Sequence, residues 1–211
     1  VTAGYINPSA RQDFFSAMDA ANVDLKGFSQ AFYKEYVRGD LKPVLETIKA
    51  ANATRLTAGE PLVVLTHSMG GLLVRYYLTR QSLDKLGRVV MLSPPNRGSE
   101  VVDLLRPRRW FQALMGPAAG QMGTAGDGLA RRLGPVGFEL GVITGDRALD
   151  PIGALIIPGP DDGRVAVERA RVEGMADFRV IHATHAFIMR HPEAIRLTIR
   201  FLRTGRFGTP R

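Results

Sequence analysis

The sequence predicts an α/β fold: a doubly wound, mostly parallel sheet with helices on both faces. Three observations carry this expectation. Leu62 to Leu65 and Arg88-Val89-Val90-Met91-Leu92 are short apolar runs, the pattern of strands buried on both faces of a parallel sheet. Segments with apolar residues at helical spacing alternate with these runs, as strand-helix-strand crossovers require. Turn-forming stretches follow both runs at once, Thr66 to Gly71 after the first and Ser93 to Ser99 after the second. Loops gathered at the carboxyl edge of an open sheet are where such folds bind ligands.

Taken in order, Val1-Thr2-Ala3 reads as a strand stub, and Gly4 to Pro8 carries turn chemistry. Ser9 is expected to cap a helix from Ala10 to about Ala21, with Phe14, Phe15 and Met18 on its inner face. Val23 to Leu25 is expected to be a short strand. Asp40 is expected to cap a helix to about Ala51, with Leu41, Leu45 and Ile48 spaced along one face. That helix leads by a right-handed crossover into the strand Leu62 to Leu65. A helix from Gly70 to about Arg80 follows, then the strand Arg88 to Leu92 and the rigid loop Ser93-Pro94-Pro95-Asn96-Arg97-Gly98-Ser99. From 100 to 137 the pattern loosens. Leu104, Leu105, Trp110, Phe111, Leu114 and Met115 suggest a small lid or pocket-lining excursion, the alternative being a mobile loop with one short helix. Strands are expected at Phe138 to Ile143 and Phe178 to Ile181. The closing helix runs from about Pro192 to Arg203, with Ile195, Ile199 and Leu202 as its buried face.

A chain of 211 residues fits one domain spanning 1–211, large enough to bury a core without disulfides, and it contains no cysteine. No apolar run approaches the length of a membrane span, and the first residues lack the zones of a signal peptide, so a cytoplasmic location is expected. The chain begins at Val1 rather than Met, which weakens that expectation. The net charge of +8 comes mainly from arginine, with Arg106, Arg108 and Arg109 beside Trp110 and Phe111, and Arg200, Arg203, Arg206 and Arg211 near the C-terminus. Such a surface suits peripheral contact with an anionic membrane, or is simply solvated. No nucleic-acid motif accompanies the charge, so nucleic acid is not an expected partner.

The stretch Thr66-His67-Ser68-Met69-Gly70-Gly71 places a serine at the apex of a strand-turn-helix unit. Such a turn forces the serine into a strained conformation and projects its hydroxyl above the sheet edge. The glycines allow the helix to pack closely, and the helix N-terminus sets free amides beside the hydroxyl. These residues resemble the nucleophile elbow of the α/β-hydrolase superfamily, specifically its small bacterial lipase- and esterase-like members. Here Thr66 stands where the Gly-x-Ser-x-Gly pattern has its first glycine. The resemblance runs from about Pro61 to Phe207 and is much poorer over residues 1–55.

The resemblance implies a catalytic triad in the chain order serine, acid, histidine, with Ser68 as nucleophile. Of the four histidines, His67 is expected to point to the far side of its strand and His191 to open the last helix in an exposed position. His182 lies within the last strand. His185 follows that strand's end, so His185 is the expected base and His182 the runner-up. Asp162 in Asp162-Gly163-Arg164-Val165 matches the family's Asp-x-x-Val turn and is the expected acid, with Val165 anchoring the loop. Asp146 is the alternative, and Asp161 has the role of a turn cap. By family position the Met69 amide is one oxyanion donor. The second usually follows a His-Gly pair, which this sequence lacks; Ala3-Gly4-Tyr5 is the nearest equivalent and makes the Tyr5 amide the second.

The expected activity is cleavage of carboxylic esters, small acyl esters or lipids, through an acyl-enzyme. No metal and no organic cofactor is required. The alternatives are a thioesterase or acyltransferase on the same machinery, or a non-catalytic relative that binds a lipid or partner. The short N-terminal stretch further implies a fold truncated there. Either upstream residues supply a strand and a His-Gly pair, or the open edge of the strand Leu62 to Leu65 pairs with a second copy.

Overall fold

The structure is a computed structural model. It describes residues 5–17, 30, 33–34, 38–57, 61–105, 107–108, 123–124, 128–148 and 157–208. Val1 to Ala3, Met18, Val23 to Leu25, and the Trp110 to Met115 part of the expected lid lie outside the described residues. The contacts resolve into two units, residues 1–62 with 82–86, and residues 63–81 with 87–211.

In the first unit, Asn7 rather than Ser9 caps the chain: its side chain accepts from the Ser9 N–H and opens a short 3-10 turn at Pro8–Ala10. Helix α1 (Arg11–Ser16) continues from it, with Phe15 buried and Phe14 38% exposed. Arg11 is buried and reaches the Ile6 carbonyl at 3.1 Å and the Glu46 carboxylate at 3.1 Å. Helix α2 (Leu41–Thr57) runs past the expected end and turns Val44 and Thr47 inward. The Asp40 carboxylate pairs with Lys34 at 2.9 Å instead of capping α2, and the Gln30 side chain accepts the Leu41 N–H at 3.0 Å.

Strand β1 (Leu62–His67) leads into helix α3 (Met69–Leu78), followed by β2 (Leu86–Leu92) and helix α4 (Glu100–Leu105). A one-turn helix α5 (Leu129–Arg132) precedes β3 (Leu140–Gly145), every residue of which is buried. Then come α6 (Val167–Ala170), β4 (Asp177–Ile181) and α7 (Pro192–Thr204). The strands form one sheet in the order β1-β2-β3-β4, and β2, β3 and β4 are parallel.

Helices cover both faces of this sheet. On one face Val90, Leu92, Ile143 and Ile181 pack with Ala194, Leu197 and Phe201 of α7 and with Phe207. On the other, α3 approaches Met91 so closely that a Cβ on Gly71 would lie 2.9 Å from Pro94 Cβ and 3.0 Å from Met91 Sδ. Only glycine permits that approach.

Two expectations about burial are corrected. β1 is an outer strand of the described sheet rather than one buried on both faces, with Val63 48% and Leu65 54% exposed. The face of α7 also differs. Ala194, Leu197, Thr198 and Phe201 are buried, while Ile195 and Ile199 are 47% and 45% exposed and, of the expected face, Leu202 packs partly buried against the core. Both sets have helical spacing, and the inward set is the one whose Phe201 ring stacks on Phe207 at 5.0 Å over the sheet. Burying a phenylalanine removes more apolar area from water than burying an isoleucine, which decides the rotation.

Candidate active site

Ser68 sits between β1 and α3 with φ 53° and ψ −127°. A left-handed φ is costly for a residue with a Cβ, and it is held here by hydrogen bonds on both sides. The Ser68 N–H donates to the Leu92 carbonyl at 2.8 Å, and the Ser68 carbonyl accepts from Gly71 at 3.1 Å. Met69 opens α3, so its amide is among the first-turn N–H groups without an acceptor inside the helix. A second strained serine, Ser93 with φ 47°, follows β2 and is fully buried.

His185 lies in the turn after β4. Its Nε2 is 2.9 Å from Ser68 Oγ and its Nδ1 is 2.9 Å from Asp162 Oδ2. A carboxylate only accepts, so the ring proton is on Nδ1 and Nε2 accepts from the serine hydroxyl. The Asp162 side chain is fully buried and that of His185 is 15% exposed.

The loop that carries Asp162 explains its placement. Asp162 Oδ1 accepts the N–H groups of Arg164 at 3.0 Å and Val165 at 2.8 Å, and Val165 is buried in the core. Gly163 has φ 94°, a conformation the tight turn needs and glycine supplies. Asp161 closes the same turn by accepting from the Gly163 N–H at 2.7 Å. Burial pushes the Asp161 carboxyl above its ordinary range.

The other candidates fall elsewhere. Asp146 and His182 pair with each other, Oδ1 to Nδ1 at 3.0 Å, on side chains that are 38% and 74% exposed. His182 follows β4 instead of lying within it. His191 occupies the N-terminal flank of α7 and is half-buried rather than exposed. Tyr5 belongs to the first unit, where its hydroxyl donates to the Asp40 carbonyl and accepts from the Asp40 N–H, both at 2.8 Å. Those bonds engage its side chain, whereas the expected role is that of its backbone.

One buried residue of α3 was not singled out by sequence, and one histidine was misplaced by it. Arg75 of α3 is 2% exposed and donates to carbonyl oxygens of Asn96 at 2.9 Å and Gly134 at 2.6 Å. Burial pushes its guanidinium down to about 10. Its position four residues after Gly71 and three after Leu72, both buried, was the available signal. His67, expected on the far side of its strand, instead faces the turn that carries His185. Its Nε2 lies 2.9 Å from the His185 carbonyl, and the two imidazole centroids are 4.9 Å apart.

No protein-family model matches this sequence, and no curated protein matches it. Solved structures do. The lipase BlEst2 of Bacillus licheniformis in its mature form superposes with a TM-score of 0.57 at 17% identity, over 84% of this chain and 88% of that one. Phospholipase PlaB of Legionella pneumophila superposes with a TM-score of 0.59 at 19% identity, over 78% of this chain. This chain spans 47% of PlaB's length. At such identities the likeness speaks for architecture: with its parallel sheet, helices on both faces and serine turn, the chain has the α/β-hydrolase fold.

Proposed function

We propose that this protein is a serine hydrolase that cleaves carboxylic esters through an acyl-enzyme. The observation that carries the reading is the continuous hydrogen-bonded chain from Ser68 through His185 to buried Asp162. A serine hydroxyl is a weak nucleophile until a base takes its proton, and the base works best with its tautomer held by a carboxylate. Ser68 Oγ attacks the ester carbonyl carbon as its proton passes to His185 Nε2. Asp162 keeps the other ring proton on Nδ1 and stabilises the imidazolium that forms. The carbonyl oxygen becomes an oxyanion, and the Met69 amide at the start of α3 is its proposed donor. The imidazolium then protonates the departing alcohol, and water, activated by the same histidine, releases the acid.

The solved neighbours include a lipase and a phospholipase, which favours esters of fatty acids as the substrate class. The test is hydrolysis of a short-chain nitrophenyl ester together with mapping of a fluorophosphonate label. Ser68→Ala is expected to lower kcat by about 10³-fold or more and to abolish the label. Turnover near wild type in that variant, or a label on another residue, overturns the reading.

A further inference from the structure

His185 has four polar groups, and each has a partner. Its N–H donates to the Asp162 carbonyl at 2.9 Å, its Nδ1 meets Asp162 Oδ2, and its Nε2 meets Ser68 Oγ. Its carbonyl oxygen accepts from His67 Nε2 at 2.9 Å. A carbonyl only accepts, so the proton of the His67 ring is on Nε2. His67 directly precedes Ser68. The last residue of β1, directly before the serine, is therefore a donor that grips the backbone of the histidine.

We propose that His67 is a positioning residue for the base, its Nε2–H fixing the His185 backbone so that the imidazole meets Ser68 at hydrogen-bond distance. The proposal rests on the reading of Ser68 and His185 as nucleophile and base. Its physical ground is the short reach of proton transfer. The turn that carries His185 is anchored to Asp162 on one side of the residue and to His67 on the other. Releasing the carbonyl lets the ring tilt about the remaining anchor, and displacement of about 1 Å at a reacting group costs on the order of 10²-fold in rate. The contact is made to the backbone of the base, so the loss is expected in kcat.

The charge state of His67 agrees with that role. Burial, and then the neighbouring His185, lower its pKa below the ordinary histidine range, against weaker opposing effects of its bond to the His185 carbonyl and of the Asp162 carboxylate. A neutral His67 adds no second positive charge beside His185 when the base becomes a cation. A protonated one would oppose the imidazolium at a ring separation of 4.9 Å.

The experiment separates the donor from the ring. His67→Phe keeps an aromatic ring without a donor, and His67→Gln places an amide N–H near the position of Nε2. Steady-state kinetics on a soluble nitrophenyl ester, with thermal melting of each variant, are run beside Ser68→Ala. The expected result is a kcat lowered by about 10- to 100-fold in His67→Phe with KM within about twofold, and a His67→Gln rate nearer wild type than His67→Phe on a logarithmic scale. If His67→Phe does not fold, His67→Ala takes its place. Wild-type kcat in the donor-free variant, a loss expressed in KM, or a His67→Gln rate no better than the donor-free variant overturns the proposal. Activity surviving in Ser68→Ala would instead overturn the reading of the site, so the two failures are distinguishable.

Discussion

At Asp162 the two carboxylate oxygens have separate tasks. Oδ1 holds the turn through the Arg164 and Val165 amides, and Oδ2 faces His185 Nδ1. Asparagine divides these tasks unequally. Its carbonyl oxygen keeps the two backbone donors, so the loop survives, while its NH2 faces Nδ1. Nδ1 must then accept, and the ring proton moves to Nε2, the atom that has to receive the serine proton. Asp162→Asn is therefore expected to lower kcat by about 10⁴-fold with little change in melting temperature. Asp146→Asn removes only an exposed partner of His182 and is expected to stay near wild type. Parallel assays of the two variants check this; the reverse ranking would make Asp146 the acid.

At the scale of elements, α3 is anchored through a buried cation. Arg75 Nη1 reaches the Asn96 carbonyl and its side-chain oxygen, and Nη2 reaches the Ala130 and Gly134 carbonyls. The guanidinium thereby ties α3 to the loop after β2 and to α5. Among the described partners none is a carboxylate, so carbonyl dipoles compensate the charge. Asn96 extends the network by donating to the Ala170 carbonyl at 2.8 Å. Arg75→Ala strands several buried acceptors at once and leaves a cavity. It is expected to destabilise the protein by about 2–4 kcal/mol, read from urea unfolding. Arg75→Lys keeps the charge but has too few donors in a planar fork, and is expected to recover only part of the loss.

Across the whole molecule the apolar surface is uneven. Val63 and Leu65 are alternate residues of β1 and so lie on one side of an outer strand, both about half exposed. Apolar residues on an outer strand favour association of like chains. Leu65→Lys is expected to shift the protein toward monomer in light scattering at equal concentration, with ester turnover unchanged. An identical size distribution for the two proteins would remove β1 from any account of self-association. The charge of +8 works against association at low salt, so the comparison is sharpest at moderate ionic strength. Among the described residues no helix is long and apolar enough to cross a membrane.

Local order along the chain determined much of this protein on its own. The apolar runs ending at Thr66 and Ser93, the serine before two glycines, and the Asp-Gly-Arg-Val turn are contiguous patterns, and backbone chemistry acts over such short spans. The strand-helix alternation and the sheet with helices on both faces were legible for the same reason. What only the tertiary structure decided involves choices between equivalent local patterns. Ile195 and Ala194 both begin a helical stripe, and the rings of Phe201 and Phe207 over β3 select the second. Asp146 directly follows β3 and Asp162 lies further on, in the turn before α6, while His182 and His185 both lie just after β4. Spatial pairing joins the first of each to one another and brings the second of each to Ser68. The grip of His67 on the His185 carbonyl spans 118 residues of sequence. No periodicity reports a contact of that range, because it exists only once β1 and the turn after β4 have been brought together by the sheet between them.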